Sequence, residues 1–219
     1  MYNIQNMNII SFPRSGQHLI YEILKLIYFV HDYDFTYCEY YNCCNSVPCS
    51  FKSIYQKNHD FTLDYKIIPT ESYVVFYRKN IVYQLEAYYR YEINKNNDQY
   101  DLETLLTFIN NNFYYYINFY EKWIFEKHDN IMCIDYNSFI GNSYNYVNQI
   151  LQYSNLTFDD EKIKKILQSE ICVEGKVNSI KVLHTLNEEL YQILKTHILN
   201  KFDQEQKTKC VNEIISNIN

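Results

Sequence analysis

The chain has 219 residues, of which 47% are hydrophobic and 18% aromatic, with only three glycines and three prolines. This composition excludes collagen-like, Pro/Gly-rich low-complexity and fully disordered chains, and the length suits a single domain, residues 1–219, with a sizeable core. The formal net charge of −6 disfavours broad nonspecific binding to nucleic acid.

The chain begins with a predicted strand and helix. An apolar run at residues 7–12 predicts a buried strand that ends at Pro13, and apolar residues at helical spacing predict a helix over residues 17–30. The helix contains charged residues and is too short to span a bilayer. The N-terminus also lacks a signal-peptide pattern, so we expect a cytoplasmic protein without a membrane span.

Residues 31–50 are polar and aromatic, and we predict irregular structure there. The segment holds four of the seven cysteines, Cys38, Cys43, Cys44 and Cys49. They lack the paired C-x-x-C spacing that is common in zinc sites. We therefore interpret them as reduced thiols in a loop, with a zinc site as the less favoured alternative, and we expect no metal cofactor.

Strands and helices alternate through the rest of the first 156 residues. Three more strands are predicted at residues 53–55, 72–77 and 131–134, and helices at residues 81–94, 102–127 and 138–153, with Asp101 as the N-cap of the second. This alternation predicts an α/β fold with a central parallel sheet flanked by helices.

The C-terminal part is predicted to be helical. The helices are expected at residues 159–168, 186–200 and 204–217. The sequence Thr185-Leu186-Asn187-Glu188 matches a capping box and predicts the start of the middle helix.

The loop between the first strand and the first helix reads Pro13-Arg14-Ser15-Gly16-Gln17-His18-Leu19. Such a loop presents backbone N–H groups at the positive end of a helix dipole, which favours an anion. Arg14 adds a guanidinium group suited to phosphate oxygens, and Ser15, Gln17 and His18 add side-chain donors. An ordinary β–α turn with a capping serine is the alternative. The G-x-x-x-x-G-K-[ST] spacing of nucleotide triphosphatases is missing.

This loop resembles the 5′-phosphosulfate-binding loop of sulfotransferases. These enzymes transfer a sulfuryl group from 3′-phosphoadenosine 5′-phosphosulfate (PAPS) to a hydroxyl or an amine. The resemblance implies a P-loop-NTPase-like sulfotransferase fold and PAPS as the co-substrate. It also implies that five residues of the loop bind this cofactor, namely Arg14, Ser15, Gly16, Gln17 and His18.

A second segment, Lys57-Asn58-His59-Asp60, resembles the family's Lys-Thr/Ser-His segment, which supplies the catalytic base. The resemblance implies that His59 takes the proton of the acceptor, a role suited to a group whose ordinary pKa is near neutrality. Lys57 and Arg14 would stabilise the charge on the leaving phosphate. The alternative is an exposed lysine and histidine in a loop.

Residues 73–80 resemble the strand and loop that hold the 3′-phosphate in the family, and Arg78 matches the family's arginine. Arg78 follows a predicted parallel strand, at the edge where open α/β sheets bind ligands. The serine that the family has eight residues later is Glu86 here. Glu86 lies four residues before Arg90 on the predicted helix, so we expect these two side chains to pair.

Two later segments complete the resemblance. Residues 123–139 resemble a helix, strand and turn of the family, and we expect Trp123 to lie in the core. Residues 174–181 resemble the loop that closes over the 3′-phosphate, which implies that Gly175, Lys176 and Lys181 bind the cofactor.

The function that these patterns favour is PAPS-dependent sulfuryl transfer to the hydroxyl of a small molecule or carbohydrate. A carbohydrate is preferred because the chain resembles the bacterial and carbohydrate-type sulfotransferases more than the small-phenol enzymes. One alternative is a non-catalytic protein of the same fold that binds a nucleotide or a partner. A second is a phosphoryl-transfer enzyme with an unusual phosphate loop. The sequence does not specify an oligomeric state.

Overall fold

The computed structural model describes residues 7–46, 49–51, 53–96, 98–169, 186–204 and 210–218. Within them, five strands form one sheet in the order β2-β3-β1-β4-β5, and every neighbouring pair is parallel. The strands are β1 (Met7–Ser11), β2 (Tyr37–Glu39), β3 (Tyr55–Asn58), β4 (Tyr73–Tyr77) and β5 (Ile131–Asp135).

Eight α-helices accompany the sheet in the described residues. They are α1 (Gln17–Val30), α2 (Ile81–Asn96), α3 (Leu102–Tyr120), α4 (Tyr136–Gly141), α5 (Ser143–Leu151), α6 (Asp160–Leu167), α7 (Glu188–Gln204) and α8 (Val211–Ser216). Over the part of the chain that the structure describes, no helix combines the length and apolar character needed to cross a membrane.

Helices cover both faces of the sheet, and successive side chains of each strand point toward opposite faces. Ile9 and Val74 belong to the core that α1, α5 and α6 form on one face. Ile10 and Val75 belong to the core that α2, α3, α7 and α8 form on the other. The predicted parallel sheet flanked by helices is therefore confirmed, and the chain beyond residue 156 is helical where it is described.

The sequence prediction was wrong about the strands at one edge of the sheet. Strand β2 lies in the segment predicted to be irregular, and β3 begins at Tyr55 rather than at residue 53. Strand β3 reads Tyr-Gln-Lys-Asn, and its buried side chains include the polar Gln56 and Asn58. Because buried positions of this strand carry polar residues, the strand lacks the alternation of apolar and polar residues that is used to predict strands.

Several helix bounds also differ from the prediction. Helix α3 starts after its predicted cap, Asp101, but ends at Tyr120, where a π-helical turn, Glu121–Phe125, follows. The helix predicted over 138–153 begins earlier and is divided at Asn142 into α4 and α5. Helix α7 begins at Glu188, where the side chain of Asn187 accepts a hydrogen bond from the main-chain N–H of Leu190 at 2.8 Å.

The predicted capping box therefore sets the start of α7 two residues too early, and its Thr185 lies outside the described residues. Asparagine caps a helix as well as threonine does, and the sequence contains both within three positions. The last helix, predicted from residue 204, is α8 and begins at Val211, while residue 204 belongs to α7.

One buried carboxylate connects the loop after β3 to the π-helical turn that follows α3. Asp60 is fully buried, and its Oδ2 accepts hydrogen bonds from Lys122 Nζ at 2.6 Å and from Trp123 Nε1 at 2.9 Å. Its Oδ1 accepts from the main-chain N–H of Tyr65 at 3.1 Å. Trp123 is fully buried, in agreement with its predicted place in the core. These contacts fix the backbone next to His59, the residue that precedes Asp60.

We expect Asp60→Ala to lower the free energy of unfolding by about 3 kcal/mol, because it leaves the ammonium of Lys122 and the indole of Trp123 without their shared acceptor. Urea denaturation measures the change. Asp64→Ala is the matched control, since Asp64 is exposed four residues away and its loss should change the value by less than about 0.5 kcal/mol. Equal effects of the two substitutions would contradict this account.

Candidate functional site

Seven of the predicted site residues line a cavity at the carboxyl ends of three adjacent strands. Strands β3, β1 and β4 are neighbours in the sheet, and parallel strands present their carboxyl ends at one edge. The cavity has a volume of about 750 Å³, which lies in the range of small-molecule sites. The predicted residues that line it are Arg14, Gly16, Gln17, His18, Lys57, His59 and Arg78.

The loop between β1 and α1 has a backbone conformation that L-residues rarely adopt. Gly16 has φ +85°, and a Cβ atom built on it would lie 1.9 Å from Cε2 of Tyr136. Only glycine therefore fits between the start of α1 and the ring of Tyr136. Arg14 has φ +66° although it carries a side chain. No side chain caps α1, and the first amides of a helix have no acceptor within it, so this end of α1 remains suited to an anion.

The side chains of Ser15 and Gln17 differ from the prediction that they are donors to a ligand. The buried Ser15 hydroxyl lies 2.7 Å from the carbonyl oxygen of Phe12. Gln17 Oε1 accepts a hydrogen bond from the Ser11 hydroxyl at 2.6 Å, and its Nε2 donates to the carbonyl oxygen of Ile9 at 3.3 Å. Both side chains satisfy buried polar groups of the loop and strand. Their contribution to an anion site would come from the main chain.

His18 extends from the start of α1 into solvent. Its side chain is 83% exposed, and Nε2 lies 3.8 Å from Oε1 of Glu22, one helical turn later. It lines the cavity at its rim. A carboxylate therefore lies beside this position at the rim of the cavity.

Gln84, which the sequence analysis did not single out, joins the loop to the end of β4. Its Nε2 donates to the carbonyl oxygen of Pro13 at 2.6 Å, and its Oε1 accepts from the main-chain N–H of Arg78 at 3.1 Å. The same Oε1 lies 2.9 Å from the Ser15 hydroxyl. Gln84 is fully buried on the otherwise apolar face of α2. The polar residue among apolar ones on that face was the signal in the sequence that could have indicated this role for Gln84.

Arg78 lies directly after β4 and is 5% exposed. Its Nε donates to the carbonyl oxygen of Arg14 at 3.3 Å, and its guanidinium carbon lies 4.5 Å from the centre of the Tyr136 ring. Among the described residues, its buried Nη1 has no hydrogen-bond partner. Burial lowers the pKa of the guanidinium, but an arginine remains charged in a protein. The site therefore contains a buried cation with an unused donor.

The ring nitrogens of His59 have different surroundings. Nδ1 lies 2.8 Å from the carbonyl oxygen of Ser11, and a carbonyl oxygen only accepts, so Nδ1 carries the hydrogen. Nε2 is then an unprotonated acceptor in a side chain that lines the cavity. Burial lowers the pKa of His59 to about 4, and the nearby charges of Lys57 and Arg14 add to that effect. The imidazole is consequently neutral at pH 7 and able to accept a proton.

Lys57 is held by a carboxylate from the neighbouring edge strand. Its Nζ lies 3.0 Å from Oε1 of Glu39, and both side chains are partly exposed. Both residues line the cavity, and they are paired in the register of β2 and β3. The hydrogen bond from Lys57 lowers the pKa of Glu39, although burial opposes this. The ion pair fixes the direction of Lys57 at the cavity wall.

The carboxylate of Glu86 is buried beside the cavity and is paired with an arginine. It is 1% exposed and pairs with Nε of Arg90, as the four-residue spacing predicts. Burial raises the pKa of Glu86, whereas the bond to Arg90 lowers it. Arg90 lines the cavity and Glu86 does not appear among its lining residues. The repulsion that this carboxylate would exert on a phosphate is thereby reduced.

The three remaining predicted cofactor residues, Gly175, Lys176 and Lys181, lie outside the described residues. Within the described part of the chain, Arg14 and Arg78 are cavity cations without a carboxylate partner. Two such guanidinium groups beside a helix N-terminus are chemically suited to an anion. The neutral imidazole nearby adds a group that could remove a proton.

The chain has the fold of sulfotransferases, with a five-stranded parallel sheet and helices on both of its faces. It is similar in structure to mouse sulfotransferase SULT7A1 complexed with PAP, with a TM-score of 0.59 and 12% sequence identity, over 95% of this chain and 88% of that one. No protein-family model and no curated protein matches the chain.

We expect Gln84→Ala to lower the free energy of unfolding by about 2 kcal/mol, because three buried polar groups lose a partner. Chemical denaturation measures this loss. The exposed Gln192 of α7 provides the control substitution, Gln192→Ala, which should be near neutral. A Gln84 variant as stable as the wild type would show that the loop does not need this amide.

The partly buried imidazole of His59 predicts a pH-dependent stability. It stays neutral in the folded protein down to about pH 4, whereas the unfolded side chain protonates near the ordinary histidine pKa of 6.5. Between these values the unfolded state binds more protons, so this contribution is complete above about pH 6.5 and is lost as the pH falls toward 4. Between pH 7 and pH 5, the wild type should lose about 2 kcal/mol more than His59→Gln.

Denaturation at both pH values measures the difference. His18→Gln is the control, because the exposed His18 side chain should leave the pH dependence of the wild type unchanged. If His59→Gln retains the full dependence, the imidazole is not buried in the neutral form.

Proposed function

We propose that the protein binds PAPS in the cavity at the carboxyl ends of β1, β3 and β4 and transfers its sulfuryl group to an acceptor hydroxyl. The observation that carries the proposal is the buried guanidinium of Arg78, whose Nη1 has no partner among the described residues while it lies against the loop that leads into α1. A buried donor of this kind is costly unless a ligand uses it.

The two ends of the nucleotide would contact different parts of the site. The loop amides and Arg14 would bind the 5′-phosphosulfate at the start of α1. Arg78 would bind the 3′-phosphate, together with Gly175, Lys176 and Lys181. The similar structure of mouse sulfotransferase SULT7A1 complexed with PAP supports a nucleotide of this type.

In the proposed reaction, Nε2 of His59 takes the proton of the acceptor hydroxyl, and the acceptor oxygen forms a bond to sulfur. The bond between sulfur and the 5′-phosphate oxygen breaks, which leaves 3′-phosphoadenosine 5′-phosphate. Arg14 and Lys57 stabilise the negative charge on that phosphate. The bound anion also offsets the two cations that lower the pKa of His59, so the base becomes stronger when the cofactor is bound.

A carbohydrate hydroxyl is the acceptor that we propose to test first. Phe61 is 47% exposed, lines the cavity, and its ring centre lies 5.2 Å from that of His59. An aromatic face beside the base suits the apolar face of a sugar ring. No metal is needed for any of these steps, because the charges come from side chains.

The binding step is tested by calorimetric titration with 3′-phosphoadenosine 5′-phosphate. We expect the wild type to bind, and Arg78→Ala and Arg14→Ala each to weaken binding by roughly 10- to 100-fold through the loss of charge-assisted hydrogen bonds. Lys164→Ala, on the exposed surface of α6, is the control and should bind like the wild type. A wild type that does not bind would disprove the proposal.

The chemical step is tested by sulfuryl transfer from PAPS to a panel of carbohydrates. We expect His59→Ala to slow transfer by roughly 100- to 10,000-fold while nucleotide affinity stays within about twofold. If His59→Ala keeps its transfer activity, His59 is not the base. A wild type that binds the nucleotide but transfers nothing to any acceptor would favour the non-catalytic alternative.

A further inference from the structure

Four cysteines from residues 38–49 come together beside the edge of the sheet. The Sγ atoms of Cys38, Cys43, Cys44 and Cys49 all lie within 4.8 Å of one another. Cys44 Sγ is 3.6 Å from Cys38 Sγ and 3.6 Å from Cys49 Sγ. Cys38 belongs to β2, and the others follow in the connection to β3.

These distances fit a shared metal ion better than a covalent link. Zinc binds four thiolates tetrahedrally with Zn–S distances of about 2.3 Å, which places the sulfurs about 3.8 Å apart. A disulfide would need an S–S distance of about 2.05 Å. The four sulfur positions therefore require only small shifts to surround one tetrahedral ion.

Packing of apolar side chains does not explain the cluster. A free cysteine often serves as a small core residue, and Cys38 and Cys49 are indeed buried, but Cys43 is exposed. None of the four belongs to either of the two hydrophobic clusters of the described residues. Their common property is that they can bind a metal.

A buried amide from the neighbouring strand also approaches the cluster. Gln56 is 1% exposed, and its Nε2 lies 3.7 Å from Cys44 Sγ and 4.0 Å from Cys38 Sγ. The same nitrogen donates to the carbonyl oxygen of Ser46 at 2.6 Å. N–H groups directed at coordinating thiolates are a usual part of the outer shell of a metal site.

We propose that Cys38, Cys43, Cys44 and Cys49 form a structural zinc site. On binding, the four thiols release their protons to solvent and the resulting thiolates coordinate the ion. Four protein ligands leave no open position for substrate, which distinguishes a structural site from a catalytic one. The sequence analysis disfavoured zinc because paired C-x-x-C spacing is missing. The arrangement of the sulfurs favours zinc instead, and it revises our expectation of free thiols and no metal.

The site would stabilise the edge of the sheet that holds Lys57. In the β2–β3 ladder, Cys38 is the partner of Gln56 and Glu39 is the partner of Lys57. Strand β2 has only three residues, so its ladder alone fixes it weakly. A metal bound to Cys38 would hold Glu39, and through it Lys57, at the cavity wall.

The full-length protein, purified under reducing conditions, tests this by elemental analysis and by cobalt(II) substitution. We expect one zinc ion per chain and, after exchange, the visible absorption of tetrahedral cobalt with four thiolates. Cys44→Ser should lose stoichiometric metal, whereas Cys133→Ser, whose cysteine lies in β5 outside the cluster, should retain it. Gln56→Ala should weaken zinc binding by roughly 10- to 100-fold.

If Cys44→Ser does not fold, thiol titration of the folded wild type decides the question. A chelator should then expose four additional reactive thiols. Absence of metal and of cobalt uptake, iron with acid-labile sulfide in place of zinc, disulfides within the cluster, or equal metal loss in Cys133→Ser would each overturn the proposal. These measurements do not involve nucleotide, so their outcome is independent of the sulfotransferase proposal.

Discussion

Gln84 has no exposed surface, and its amide contacts three separate positions of the chain: the carbonyl of Pro13, the hydroxyl of Ser15 and the main-chain N–H of Arg78. Two of these positions belong to the loop after β1, and the third belongs to the end of β4. A side chain satisfied at both ends is rigid because leaving any of these buried groups unpaired is costly. The spacing between Arg14 and Arg78, and hence the shape of the anion site, depends on it.

Arg78 and Lys57, two of the cations that line the cavity, are held in place by contacts within the protein. Arg78 packs over Tyr136, and that ring also fills the space against Gly16. Lys57 is directed by Glu39, and His59 is kept in one tautomer by the carbonyl of Ser11. Keeping positive charge in a partly dehydrated site has a cost in the free protein. Under the proposed function, a bound anion would recover that cost, and fixed dipoles and charges would need little reorganisation as charge develops.

Much of the fold follows from patterns that are local in the sequence. Helix α1 was predicted over Gln17–Val30, where the structure has it, because its apolar face repeats every three or four residues. Strand β3 was predicted only as far as its first residue, Tyr55, because its buried side chains Gln56 and Asn58 are polar, and only their partners in the folded chain make them suitable for the sheet. Arg78 could be placed at the site because it directly follows an apolar strand.

The contacts that complete the site could not be predicted in the same way. Glu39, Gln84 and Tyr136 reach it from segments far apart in the sequence, and each could have been an ordinary surface or core residue. The clustering of the four sulfurs likewise depends on how β2 and its connection fold, since their spacing matches no common motif. Long-range packing, which a single sequence does not encode locally, decides these contacts.

Arg14 has a left-handed backbone although it is neither glycine nor asparagine, and such a conformation costs an L-residue roughly 1–2 kcal/mol. The exposed guanidinium lies over the ring of Tyr91, 4.7 Å from its centre, which offsets part of that strain. A glycine at this position would make the chain more stable and leave the loop with the same shape, but without its charge. Under the proposed function, stability and anion binding favour different residues at position 14, and an arginine there would serve the binding of the anion.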